Sequence, residues 1–190
     1  FGGYEIETDK NIFDDSIINL MDFDCDQKNS VHFFYTLPFS KNKALIETTW
    51  LSNMKDPSEK DYDFQIKEYI ENILKIKNYK IIYKEKGQIP LFYPTNLNGK
   101  KKINIGTAGK MTRLSTGYTF LNIQEHCKYI VKNLDNLKTY NIGKKYEILD
   151  KIFLKVLKRN AKRMPNIFFE IFNSSSETSI KFLSNKSNIF

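Results

Sequence analysis

The stretch VHFFYTLPFSKNKALIETTWL, residues 31–51, constrains this chain most. Within residues 31–37, Val31, Phe33, Tyr35 and Leu37 alternate onto one face, which is the period of a β-strand. Residues 38–43, PFSKNK, read as a turn, and residues 44–51 run back as the partner strand. The expectation is an antiparallel hairpin with a longer loop. Within residues 44–51 the single ionisable side chain is Glu47. Its neighbours at the strand period are Leu45, Thr49 and then Leu51, while the other face carries Ala44, Ile46, Thr48 and Trp50. Two readings of Glu47 are open. A carboxyl in apolar surroundings keeps its proton towards neutral pH and can serve as a general acid. An edge-strand glutamate that points to water guards a sheet against aggregation.

Residues 1–8 read as a strand, 9–15 as a polar loop and 17–23 as a second strand. Asp56, Pro57 and Glu59 have the spacing of a helix start with a capping box. The helix they open sets Tyr62, Ile66, Tyr69, Ile70, Ile73 and Leu74 on one core-facing side. Residues 79–83 and 88–92 are strand-like, with Gly87 marking a bend between them. A polar loop over 94–102 and a short strand over 103–106 lead into a glycine-rich turn. Helices are expected from Ser115 or Thr116 to about Leu134, then over 145–161, 165–172 and 175–183. The fold class is α+β, with a β-rich first half and a helical second half.

Composition excludes several classes. With 41% hydrophobic and 27% charged residues, the chain is too apolar for a disordered protein. No apolar run approaches the ~20 residues of a membrane-spanning helix, and no signal segment opens the chain. It begins at Phe1 inside a strand, which points to part of a longer protein. The net charge of +8 would suit an anionic partner. The lysines are scattered through a Lys-, Asn- and Ile-rich sequence, however, and cluster only at 100–102 and 155–163. Zinc spacings, RNA-binding aromatic signatures and helix-turn-helix patterns are missing, so no nucleic acid is expected. Cys25 and Cys127 lie far apart with no CxxC and read as free thiols of a reducing compartment. His32 and His126 are too few for a metal site, and none is expected.

A second stretch carries chemistry: INIGTAGKMTRLSTGYTFLNIQ, residues 103–124. A strand ends in Gly106, Thr107, Ala108 and Gly109, and Ser115, Thr116, Gly117 and Tyr118 open a helix. Glycine lets a backbone approach a ligand closely, and free N–H groups at a helix start favour negative charge. The segment could cradle a phosphate or the electron-rich edge of a reduced flavin. It could equally be a strand–turn–helix connection without a ligand.

Together these stretches resemble the flavin-dependent lycopene cyclases of carotenoid biosynthesis, of the bacterial lycopene beta-cyclase type. FGGYEIET is similar to the family's early strand, and Leu20–Phe23 with Gln27 to its Met-Asp…Gln segment. FFYTLPFSKNKALIETT resembles its Phe-x-Tyr-x-Leu-Pro stretch and the acidic motif that follows. GQIPLF, the pair GTAG and STGY, and the helical tail are similar to later segments in the same order. The resemblance covers nearly the whole chain. Where the family often has two adjacent acids, the second position here is Thr48, which leaves Glu47 as the sole local acid. Arg113 and Leu114 stand where the family often has His-Pro.

The resemblance implies the C-terminal portion of a glutathione-reductase-like FAD-binding enzyme, its GxGxxG part lying outside this sequence. Residues 1–94 would be a substrate-binding, β-rich region. Residues 95–190 would be the C-terminal part of the FAD-binding region with its helical tail. The implied reaction is a non-redox isomerisation that closes the ψ end groups of lycopene, or a related linear carotenoid, into β-rings. Glu47 would be the acid. Gly106, Thr107, Ala108, Gly109, Thr116, Gly117 and Tyr118 would face reduced FAD, with NAD(P)H as reductant. The enzyme would be cytoplasmic and held peripherally at the membrane surface, with Lys155, Lys158, Arg159, Lys162 and Arg163 as one contact, and this portion alone would be inactive. Two other readings stay open: a hydroxylase or prenyl reductase of the same fold, and a non-enzymatic basic module for membrane surfaces.

Overall fold

A computed structural model of the chain describes residues 1–28, 30–53, 61–95, 102–138 and 140–185. The predicted capping box at Asp56, Pro57 and Glu59 lies outside the described residues. The chain divides into two compact units, Phe1–Gln88 and Ile89–Phe190, a boundary slightly earlier than the one expected after residue 94.

The first unit is an antiparallel five-stranded sheet. Its strands are β1 (Gly2–Glu7), β2 (Asn19–Asp22), β3 (Val31–Ser40), β4 (Lys43–Leu51) and β5 (Lys80–Lys86), in the order β2-β3-β4-β1-β5. The β3–β4 hairpin is tighter than expected. Its strands run on through Pro38 to Ser40, with Pro38 opposite Ala44. Pro38 lies beyond the reach of β2, whose pairing ends at Thr36, and beside a register shift. A missing N–H costs little there. The strand expected over 17–23 is shorter, because its pairing with β3 is interrupted between Asn19 and Asp22, where Met21 takes a φ of 118°.

One face of the sheet is covered by α1 (Tyr62–Glu68), which continues as a π-helical turn over Tyr69–Ile73. Tyr4, Ile6, Phe34, Ala44 and Ile46 pack there against Ile66, Tyr69 and Ile70. The Phe34 and Tyr69 rings stack at 3.9 Å. The wider π turn rotates the helix surface, and Ile73, expected in the core, is 41% exposed. The strand expected over 88–92 does not form. The last rung of the sheet there is the Gly87 N–H donating to the Phe1 carbonyl, and Pro90 has no N–H to extend it.

The second unit holds α2 (Phe120–Lys132), α3 (Lys144–Arg159), α4 (Met164–Ser174) and α5 (Ser176–Leu183). Phe153, Phe168, Phe172 and Phe182 pack edge to face and tilted between the last three. Two expectations fail here. Residues 103–106 form no strand; a single bridge at Lys102 precedes them. The helix does not open at Ser115 or Thr116, because Gly117 sits at a φ of 73°, outside any right-handed helix, and α2 starts at Phe120. Among the described residues, no helix is long and apolar enough to cross a membrane.

Candidate active site

Side chains alternate along a strand, and directly opposed residues share a face. Tyr35 faces Glu47, Glu47 faces Gly3, and Gly3 faces Glu85, so one row crosses β3, β4, β1 and β5. This row lies on the side of the sheet away from α1. The same face carries Phe33, Leu37, Leu45, Thr49 and Leu51, of which only Phe33 is buried. Around Glu47 the β3 and β4 residues of this face are largely apolar, while Glu5, Glu7, Lys43 and Glu85 lie on the same face. β4 is flanked by β3 and β1, so the edge-strand reading of Glu47 is excluded.

Glu47 is half-buried, and the Thr49 hydroxyl donates to its Oε1 at 2.7 Å. Burial pushes its pKa up to about 7; the Thr49 hydrogen bond works against this, and the charge and hydrogen bond of Glu85 add to it. The proton therefore stays on Glu47 across much of the weakly acidic range, as a general acid working near neutral pH requires.

Glu47, the one ionisable side chain of residues 44–51, shares this surface with a second acid. Glu85 is the partner that sequence reasoning missed. It belongs to β5, which is remote in sequence, and a register shift between Glu5 and Ile6 obscures which of its residues face which side. Thr48 cannot act with Glu47, since it points the other way and is fully buried. Its Oγ1 lies 2.7 Å from His32 Nε2 and 3.0 Å from Gln65 Oε1. The Trp50 Nε1–H also donates to Gln65 Oε1, and the Trp50 ring stacks on His32 at 3.8 Å. Burial pushes the His32 pKa down to about 4, so the ring is neutral at pH 7.

Asp22 and Gln27 hold the framework. The Tyr69 hydroxyl donates to Asp22 at 2.6 Å. Gln27 clamps the His32 backbone, accepting from its N–H and donating to its carbonyl. Burial pushes the Cys25 thiol up to about 12, and neither Cys25 nor Cys127 forms a disulfide. Among the described residues, no three His, Cys, Asp or Glu side chains converge on one point.

The remaining site residues of the sequence belong to the second unit, while Glu47 belongs to the first. Gly106, Thr107, Ala108 and Gly109 form one 3₁₀ turn. Gly106 needs its φ of 58°, and a β-carbon on it would meet nothing nearer than 3.8 Å. Gly109 is there for packing, since a β-carbon would stand 2.5 Å from the Asn104 carbonyl. Thr112 joins the two motifs through hydroxyl contacts to Thr107 at 3.1 Å and Thr119 at 2.9 Å. The Gly117 N–H donates to Arg113, and the Arg113 N–H to Tyr118. Tyr118 and Ala108 are exposed. The two turns thus offer open backbone and small side chains on one segment, which suits a ligand that presses against backbone.

Arg113 is buried beneath this segment and bound to Asp150 of α3. The same carboxylate accepts from the Leu114 N–H and the Ser115 hydroxyl. The residue found in place of His-Pro therefore anchors the turn to a helix.

No curated protein and no solved structure matches the chain. Residues 1–184 match the family described as lycopene cyclase protein.

Proposed function

The chain belongs to the lycopene cyclase family, and from that premise we propose that it closes the ψ end groups of lycopene, or of a related linear carotenoid, into β-rings by proton addition from Glu47. The family itself implies a carotenoid substrate and a cyclase role. The observation that carries the finer reading is a half-buried carboxyl, its pKa pushed up to about 7, among the apolar residues of β3 and β4.

The Glu47 O–H breaks and a C–H bond forms at the terminal alkene, leaving a tertiary cation. An internal double bond attacks that cation and the six-membered ring closes. Loss of a ring proton to the carboxylate gives the β end and restores the acid. Electrons and protons balance with no net redox change. Phe33, Leu37, Leu45 and Leu51 supply the apolar wall that keeps water from the cation, and the Glu47 carboxylate left behind stabilises it.

In this reading the chain is part of a glutathione-reductase-like flavoprotein. The 106–109 and 116–118 turns would hold reduced FAD, whose negative charge, when bound, would help to offset the developing cation. The substrate is insoluble in water, so the protein meets the bilayer at its surface, with the basic stretch 155–163 as one contact.

The test is expression, in a lycopene-accumulating host, of the full-length protein of which this chain is read as part, followed by carotenoid extraction and chromatography. Monocyclic or bicyclic β-ring products support the reading. Unchanged lycopene with folded protein present overturns it.

A further inference from the structure

β4 and β5 are not neighbours; β1 lies between them. Neighbouring strands stand ~4.8 Å apart, so the backbones of Glu47 and Glu85 are separated by roughly twice that. Two glutamate side chains can span such a gap only if nothing stands in it. The intervening residue is Gly3, opposite both of them. A β-carbon on Gly3 would lie 3.1 Å from the Glu85 Cγ and Oε1 and 3.1 Å from the Leu45 Cδ1. The missing side chain is therefore the space between the two carboxyls, and the Glu85 side chain leans over it, its Oε1 among the atoms that a β-carbon on Gly3 would meet.

A second carboxylate close by disfavours ionisation, so Glu85 favours the protonated form of Glu47, and it adds to the burial that pushes the Glu47 pKa up. The other titratable groups on this face are Tyr35, Glu5, Glu7, Lys43, Lys80 and Tyr83, and the charge of the Phe1 amino group works against the rise. Glu5 is occupied by Lys43 at 3.6 Å.

We propose that Glu85 is a positioning residue for the cyclisation acid: across the space left by Gly3, it keeps the transferable proton on Glu47 and orients it. This rests on the reading of Glu47 as the proton donor. When Glu47 gives its proton to the alkene carbon, its own carboxylate is left facing the new cation. When the ring loses its proton, Glu47 takes one back and returns to its starting state. No oxidant or reductant enters.

The test follows the Glu47 carboxyl by ¹³C NMR during a pH titration of the full protein, alongside Glu85→Gln, Glu85→Asp and Gly3→Ala. Glu85→Gln is isosteric on an edge strand. It should lower the Glu47 midpoint by about one pH unit, because the neighbouring charge is gone and an amide N–H can bond the ionised form. Gly3→Ala should lower it too, by pushing Glu85 aside. Glu85→Asp should keep the midpoint above that of Glu85→Gln, and the control Glu5→Gln should leave it in place. The falling limb of cyclisation against pH should move down together with the midpoint in Glu85→Gln. A Glu47 midpoint indifferent to Glu85→Gln overturns the pairing, whatever the activity. Full cyclisation by Glu47→Gln instead overturns the acid assignment and leaves the titration result standing.

Discussion

Arg113 and Asp150 meet at 2.7 Å with both side chains buried, Asp150 completely. The Arg113 Nε also donates to both carboxylate oxygens at 3.1 Å. Breaking a buried pair from one side leaves an uncompensated charge. Asp150→Asn should therefore cost about 3 kcal/mol or more in urea unfolding. The double replacement Arg113→Met with Asp150→Leu should cost clearly less, because no charge is stranded. Equal losses in the two variants would mean that the pair is not what holds the turn.

Glu47→Gln keeps size and hydrogen-bonding capacity but removes the transferable proton. In the full-length protein, lycopene conversion in the accumulating host should fall at least ~10²-fold, the low end for a lost general acid. Glu47→Asp should retain part of the activity, since the acid survives one methylene back. Conversion equal to that of the unsubstituted protein would place the acid elsewhere.

Stability should carry the same carboxyl's signature. The folded pKa of Glu47 is about 7, raised from 4.5. Between those values the native state binds the extra proton, so this group's contribution is fully present below pH 4.5 and is lost as pH rises through 7. His32 has the opposite sign. Its pKa falls from 6.5 to about 4, so its contribution is present above pH 6.5 and lost towards pH 4. The two offset each other across the overlap, and the unsubstituted protein alone would show a shallow profile. Subtracting the Glu47→Gln profile isolates Glu47. The variant should gain on the order of 2 kcal/mol relative to the parent between pH 5 and pH 8. A pH-independent difference in denaturant midpoints would rule out the raised pKa.

Binding to the bilayer should be partly electrostatic. With a net charge of +8, co-sedimentation with anionic vesicles should weaken as salt is added, because screening shortens the reach of surface charge. Replacing Lys155, Lys158 and Arg159 by Gln should weaken it further at low salt. Equal binding to neutral and anionic vesicles at every ionic strength would count against this contact.

Local pattern carried much of the fold. The two-residue period of 31–51 is the β3–β4 hairpin, and the apolar spacing of Tyr62, Ile66, Tyr69 and Ile70 is the helix on the sheet. The last three helices lie within a residue or two of their expected bounds. What failed depended on backbone conformations or partners that a single segment does not encode. Ser115–Tyr118 looked like a helix start, but Gly117 adopts a left-handed φ and the helix waits until Phe120. Glu47 was visible as an isolated charge in an apolar strand. Glu85 was not, because nothing local says that β1 inserts between β4 and β5.

That insertion also orders events in time. The hairpin can close by itself in microseconds. The pairing of β1 with β5 must join Tyr4 to Lys84, 80 residues along the chain. Lengthening a loop adds only about 0.6 kcal/mol per doubling, but pairings this remote are slow to find. Until β1 and β5 dock, the Glu47 carboxyl sits on an open hairpin, wet and ionised at neutral pH. With its raised folded pKa, Glu47 then takes up its proton in one of the later steps of folding, when the first strand has found the fifth.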